Sequence, residues 1–189
     1  MSDMAGVLEP EAVEEKPRDE TGVVASPPVY LGVTRQEMTW AALAHASILV
    51  TVLLGLMTGG IVVVLGPIIP AIIWYAYRDR SAYVVDQARQ ATLFQVAGIV
   101  AILALAIVGA VVITIGWVVS GLLLVVLVGL ILLPVMLMVT LLWVVAIVGL
   151  PIAQMIYGCY AALETYNGRP FRYRWIADLI DRYLTQPGP

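Results

Sequence analysis

Two long stretches of this chain carry no charge, and nothing else in it constrains the fold as strongly. No Asp, Glu, Lys or Arg occurs between Glu37 and Arg78, nor again between Arg89 and Glu164. Coiled as α-helix at about 1.5 Å per residue, the first stretch is roughly 60 Å long and the second roughly 110 Å. A bilayer core is about 30 Å thick, so the first reads as two short spans and the second as at least two. Neither stretch alternates apolar with polar residues as barrel strands do, so the spans are helices. Composition agrees: 61% of residues are hydrophobic and 12% charged, where soluble domains hold about a quarter charged residues. Mean hydropathy is +0.96. The expected fold class is an all-α integral membrane protein with about four transmembrane helices arranged as two hairpins.

Breaks in the apolar runs place the spans at about residues 40–57, 61–77, 91–116 and 139–160. Thr58-Gly59-Gly60 marks a tight turn, because glycine accepts backbone angles that other residues resist. Pro67 and Pro70 interrupt the second span, and Trp74, Tyr75 and Tyr77 form an aromatic belt ahead of Arg78-Asp79-Arg80. Residues 118–138 remain apolar, with breaks at Ser120-Gly121, Gly129 and Pro134; by hydropathy alone they make a fifth span. The positive-inside rule argues for an even number of crossings, since an odd number would export Arg169, Arg172, Arg174 and Arg182. The stretch is therefore expected to lengthen its neighbouring helices or to form a shallow hairpin. On this reading both termini are cytoplasmic and the protein is multi-pass in the cell (inner or plasma) membrane.

The helical domain is expected over residues 35–168, flanked by two tails. Residues 1–34 read as a disordered acidic tail: Asp3, Glu9, Glu11, Glu14, Glu15, Asp19 and Glu20 face only Lys16 and Arg18, among four prolines. They lack the basic and short apolar regions of a signal peptide. In residues 169–189, Trp175, Ile176, Leu179, Ile180, Tyr183 and Leu184 recur on one helical stripe, opposite Asp178, Asp181 and Arg182. That pattern suits an amphipathic helix lying in the headgroup region or in a partner's groove. Arg169, Arg172 and Arg174 would meet lipid phosphates.

Several chemistries are excluded. Thirteen acidic against ten basic residues leave a net charge of −3, which gives no footing to nucleic acid. One cysteine and one histidine provide neither an intramolecular disulfide nor a zinc site. No nucleophile or paired acids stand at catalytic spacing, so no enzyme activity, metal or cofactor is expected. Cys159 is either an inert packed thiol or a palmitoylation site.

The candidate residues are few. His45 lies within the first span, where ionisable groups are costly and demand a reason. It is either a functional group in the membrane or a hydrogen-bonding partner of a neighbouring loop, fixing how the hairpin packs. Asp86, Arg89 and Gln90 share a face leading into the third span, where Asp86 can pair with Arg89 across one turn. Gln87, Gln90 and Gln95 offer donors and acceptors to an adjacent helix or a passing polypeptide. The same residues also suit a plain helix start with a favourable acid. Gly55 and Gly59 form one GxxxG spacing, although Gly59 also belongs to the turn. Arg172, Tyr173 and Trp175 complete the candidates.

In order, these landmarks resemble a bacterial family of small four-helix membrane proteins related to the twenty-kilodalton subunit of the chloroplast inner-envelope translocon, the Tic complex. The stretch from Glu37 to Ser47 is similar to the family's opening motif, with a histidine early in the first helix. Pro67 to Trp74 followed by Arg78-Asp79-Arg80-Ser81 resembles its second helix and basic loop. The run from Gln87 to Gln95 resembles its third-helix start, and Gly168 through Tyr173 its G-x-x-[FY]-R-Y ending. Gln87 stands where a second histidine is frequent, Leu93 where an asparagine is common, and Arg174 where a proline usually follows. The resemblance implies four helices with cytoplasmic termini, and for plastid relatives an association with polypeptide movement.

Two functions are expected to compete. One is a non-catalytic scaffold or assembly component, held by helix packing among membrane lipids and other membrane proteins or copies of itself. The other is a translocation or transport component with a polar path between spans. The spans hold few polar residues, among them Thr39, His45, Ser47, Thr51, Thr92, Gln95, Thr114, Thr140 and Gln154, a sparse lining for a path through one subunit.

Overall fold

The computed structural model describes Tyr30 and residues 32–176. The expected acidic tail, apart from its last few residues, and the expected C-terminal amphipathic helix beyond Ile176 lie outside the described residues.

Thr34 and Glu37 start the first helix with a reciprocal cap. The Glu37 N–H donates to Thr34 Oγ1 at 3.3 Å, and the Thr34 N–H donates to Glu37 Oε2 at 2.7 Å. From there α1 runs Arg35–Met57. The turn at Thr58-Gly59-Gly60 places Gly60 at φ 91°, and a 3₁₀ segment Ile61–Leu65 follows. Helix α2, Ile68–Tyr77, begins only after Gly66-Pro67, so the second apolar segment is broken and its α-helix is ten residues long. Ser81 caps α3 by accepting from the Val84 N–H at 3.3 Å. Helix α3 is then continuous over Ala82–Leu122. A 3₁₀ turn, Leu123–Val126, reverses the chain into α4, Val128–Tyr166. The described residues contain no strand.

Three of these helices are long and apolar enough to cross a membrane: α1, α3 with its following turn, and α4. The segment Ile61–Tyr77 is apolar but shorter. Three of the four expected spans are thus long continuous helices; the fourth, Ile61–Tyr77, is a broken apolar segment that packs beside α3 as it returns the chain to Arg78. Residues 118–138 are the end of α3, the turn and the start of α4.

Alanines set the packing. Ala41 and Ala44 of α1 meet Ala88 and Ala91 of α3, with Ile73 of α2 and Tyr83 and Val84 completing the cluster. Small side chains let helix backbones approach closely where lipid supplies no hydrophobic drive. Further along, α3 and α4 pair through glycines. Gly98 faces Gln154, Gly109 faces Trp143, and Gly116 faces Met136. Steps of eleven and seven residues forward on α3 thus match equal steps back on α4. That is one antiparallel register, held by large side chains seated over missing ones.

All described charges lie at one end: the start of α1, the α2–α3 turn, the first turns of α3, the last turn of α4 and the segment after it. The end of α4 is sealed there. The Gly168 N–H donates to the Thr165 carbonyl at 3.1 Å and the Arg169 N–H to the Glu164 carbonyl at 3.0 Å, with Gly168 at φ 78°. Tyr83 Oη donates to the Thr165 carbonyl at 3.1 Å, and Arg35 donates to the Tyr166 carbonyl at 3.2 Å. A cation and a phenol therefore satisfy the negative end of the α4 dipole.

Candidate functional site

At that charged end, α1, α3 and the non-helical segment after α4 meet in a polar cluster. His45 is 1% exposed. Its Nε2 lies 3.2 Å from Gln87 Oε1, and its Nδ1 lies 3.2 Å from the Tyr173 hydroxyl. The Phe171 N–H donates to the same Gln87 Oε1 at 3.2 Å. A backbone N–H only donates, so that atom is the amide oxygen, and His45 Nε2 must carry the proton it receives. His45 Nδ1 then accepts from Tyr173. One backbone group fixes the glutamine's orientation and, through it, the imidazole tautomer.

Gln90 repeats the device one turn along. Its Oε1 accepts the Tyr173 N–H at 3.1 Å, while its Nε2 donates to Asp86 Oδ2 at 3.0 Å. Alternate N–H groups of a non-helical strand point the same way, and glutamines three apart on a helix do too. Residues 171 and 173 therefore match 87 and 90. Gln87 Nε2 reaches Asp86 Oδ2 at 3.5 Å, and Arg89 Nη2 pairs with Asp86 Oδ1 at 3.5 Å. Aromatic rings close the outside. Tyr173 stacks on Phe94 with centroids 4.1 Å apart and planes 9° apart, while Phe171 stands edge-on to Tyr173 and Tyr160.

Two phenols at this end are pushed well above the ordinary range. Burial does this to Tyr173. For Tyr30, burial acts first, followed by the charge of Asp86 and a hydrogen bond to it, opposed by Arg172 and Arg89.

A second bridge lies deeper. Gln95 Nε2 donates to Ser47 Oγ at 2.8 Å, and Gln95 Oε1 accepts from Thr51 Oγ1 at 3.3 Å. Thr51 and Gln95, with Gln154 of α4, line a cavity of about 360 Å³ that is otherwise mostly apolar.

The structure thus brings together His45, Asp86, Gln87, Arg89 and Tyr173, with Arg172 close enough to act electrostatically on Tyr30. Gln95 belongs to the deeper bridge, and Trp175, at 89% exposed, stands apart. Gln90, read from the sequence as a donor and acceptor beside Gln87, joins them; Phe171, Phe94 and Tyr30 are members that the sequence reading did not single out as sites. Among the described residues, no three His, Cys, Asp or Glu side chains converge on a metal-sized site. What the arrangement does chemically is fasten: it ties the first helix, the third helix and the segment after the last into one unit.

A helical membrane protein with its described charges gathered at one end, and a terminal segment clamped there, is the class that this fold and site define. The chain belongs to the magnetosome magnetite crystal formation protein family, MamF/MmsF, whose profile matches residues 36–180. Comparison with curated proteins and with solved structures gave no match. The resemblance to the translocon-related family is thereby corrected. Its landmarks fall within residues now matched by a different family, and the basic loop and aromatic ending among them are features that many helical membrane proteins share. The polypeptide-translocation reading that came with it has no support.

Proposed function

We propose that the protein is a non-catalytic structural component of the magnetosome membrane that takes part in magnetite crystal formation as a member of an assembly. The observation that carries this is the extent of the family match. Residues 36–180 contain the bundle and every member of the clamp except Tyr30. A site in which His45, Gln87, Gln90, Asp86 and Tyr173 are engaged with one another or with the chain's own backbone suits a part that holds shape and presents a surface. The charged end faces the cytoplasm in this reading, because Arg35, Arg78, Arg80, Arg89, Arg169, Arg172 and Arg174 all lie there. Lipids and neighbouring membrane proteins, or further copies of the chain, are its partners.

The test is genetic. In a magnetite-forming cell that carries the protein, deletion should change the size or number of crystals seen by electron microscopy. Restoring the intact chain should reverse the change. Restoring the Gln87→Leu, Gln90→Leu double variant should not, although the variant still reaches the membrane. Crystals unaffected by the deletion would contradict the proposal.

A further inference from the structure

The two helical hairpins differ greatly in length. Residues 38–57 of α1, at about 1.5 Å per residue, cover about 30 Å, the thickness of a bilayer core. The turn that ends them is level with Ile102, Leu103 and Pro151, because Gly59 and Gly60 line the same cavity as those residues. Yet α3 runs on to Leu122, and α4 does not start until Val128. Residues 104–122 therefore extend about 28 Å beyond the far end of the α1 hairpin, accompanied only by the start of α4. Counted from Gln90, the uncharged part of α3 is about 50 Å long against a core of about 30 Å.

Three observations show what surrounds this overhang. First, apart from the seam of Leu105, Gly109, Gly116 and Ser120 against α4, its residues face outward over more than half the circumference of α3. Val108, Val112 and Val118 on α3, and Leu137, Leu141 and Val145 on α4, are all exposed. Second, both tryptophans of the overhang donate their indole N–H within the hairpin itself: Trp143 Nε1 to the Leu105 carbonyl at 3.0 Å, and Trp117, which stays 37% exposed, through Nε1 to Thr140 Oγ1 at 3.1 Å. No water-facing belt marks a boundary where the α1 hairpin ends. Third, the tip is built from Leu122 through Val128 without a polar side chain, where a turn in water takes Gly, Asn or Asp. Its backbone closes on itself, with the Leu127 N–H donating to the Leu124 carbonyl at 3.0 Å and the Leu130 N–H to the Leu127 carbonyl at 3.2 Å. Leu127 even holds φ at 64°. A protein partner would cover one face of such a rod; lipid acyl chains cover all of them.

We propose that the entire distal hairpin, tip included, lies in hydrocarbon, and that the protein deforms the bilayer to keep it there. A 50 Å helix fits a 30 Å core only at a tilt of about 50°, beyond the usual range of 0–40°. Steep tilt and local thickening of the membrane therefore act together. This holds whatever part the protein takes in crystal formation.

Full-length protein carrying Cys159→Ser and Val125→Cys, labelled with bimane at the tip, tests it. The protein is reconstituted in phosphatidylcholine vesicles of 14-, 18- and 22-carbon chains. Unchanged helical circular dichroism, with the same result from Val118→Cys, guards against a misfolded variant. Both labels should be quenched by lipid-borne nitroxides and not by aqueous iodide at every thickness. Polarised infrared dichroism should show the helices tilting less as the bilayer thickens. Iodide quenching at the tip would overturn the proposal. Shielding from both quenchers, as a second copy seated on the hairpin would give, would overturn it too, and so would a tilt independent of thickness.

Discussion

At the scale of single residues, the clamp depends on which atoms are left unmet when one partner goes. Tyr173→Phe removes one hydroxyl and keeps the ring on Phe94 but leaves one buried acceptor, His45 Nδ1, unmet, so it should cost about 1–3 kcal/mol of stability. Gln87→Leu strands two donors at once, the His45 Nε2–H and the Phe171 N–H. It should cost about 2–6 kcal/mol, since each buried unmet group is worth about 1–3. Thermal unfolding in detergent checks the order, which fails if the two variants unfold together. The phenols make a pH claim as well. Tyr173 and Tyr30 are held protonated in the fold, with Tyr173 raised chiefly by burial. Their contribution is complete below the ordinary phenol value of about 10 and falls as pH rises above it, because only the unfolded chain ionises there. Absorbance of phenolate near pH 11 should therefore lag behind the tyrosine content of the folded protein and reach it only on unfolding. His45, Gln87 and Tyr173 were each legible in the sequence as unusual. Their meeting was not, since Gln87 and Tyr173 lie 42 and 128 positions from His45 along the chain.

Among the elements, glycines decide the pairing of α3 with α4. A Cβ at Gly109 runs into the Trp143 indole, and at Gly129 into the backbone of Ser120 and Leu124, whereas at Gly121 and Gly149 it meets nothing. Gly109→Val and Gly129→Ala should therefore destabilise the hairpin by about 1–3 kcal/mol or more, the usual range for overpacking. Gly121→Ala and Gly149→Ala should be neutral or slightly stabilising through helix propensity. Unfolding of the four variants separates the pairs, and equal losses in all four would refute the register. The helical class and the stop at Asn167-Gly168 could be read from the sequence. That residues 118–138 lengthen their neighbouring helices or turn as a hairpin could be read too, but not the residue at which α3 stops, because an almost wholly apolar run has no periodicity to show where one helix ends. Glycine opposite a large side chain sets the register, and averaging hydropathy over a window erases that signal.

Over the whole molecule, charge and length are arranged asymmetrically. One end holds the described ionisable groups and the clamp, and the other ends in leucine and valine. The family, by contrast, was not legible from landmarks, because a basic loop and an aromatic-basic ending follow from how helices sit in membranes, and a single histidine in the first helix does not separate one family from another. The central claim is that the segment after α4 is fastened to α3 and α1, so that the chain's last described residues are part of the bundle. Hydrogen exchange of the intact protein, read at the Phe171 and Tyr173 amides, tests it most directly. Both amides should be strongly protected in the native protein and lose that protection in the Gln87→Leu, Gln90→Leu variant while α3 stays protected. Exchange of both amides at open-loop rates in the native protein would contradict the clamp.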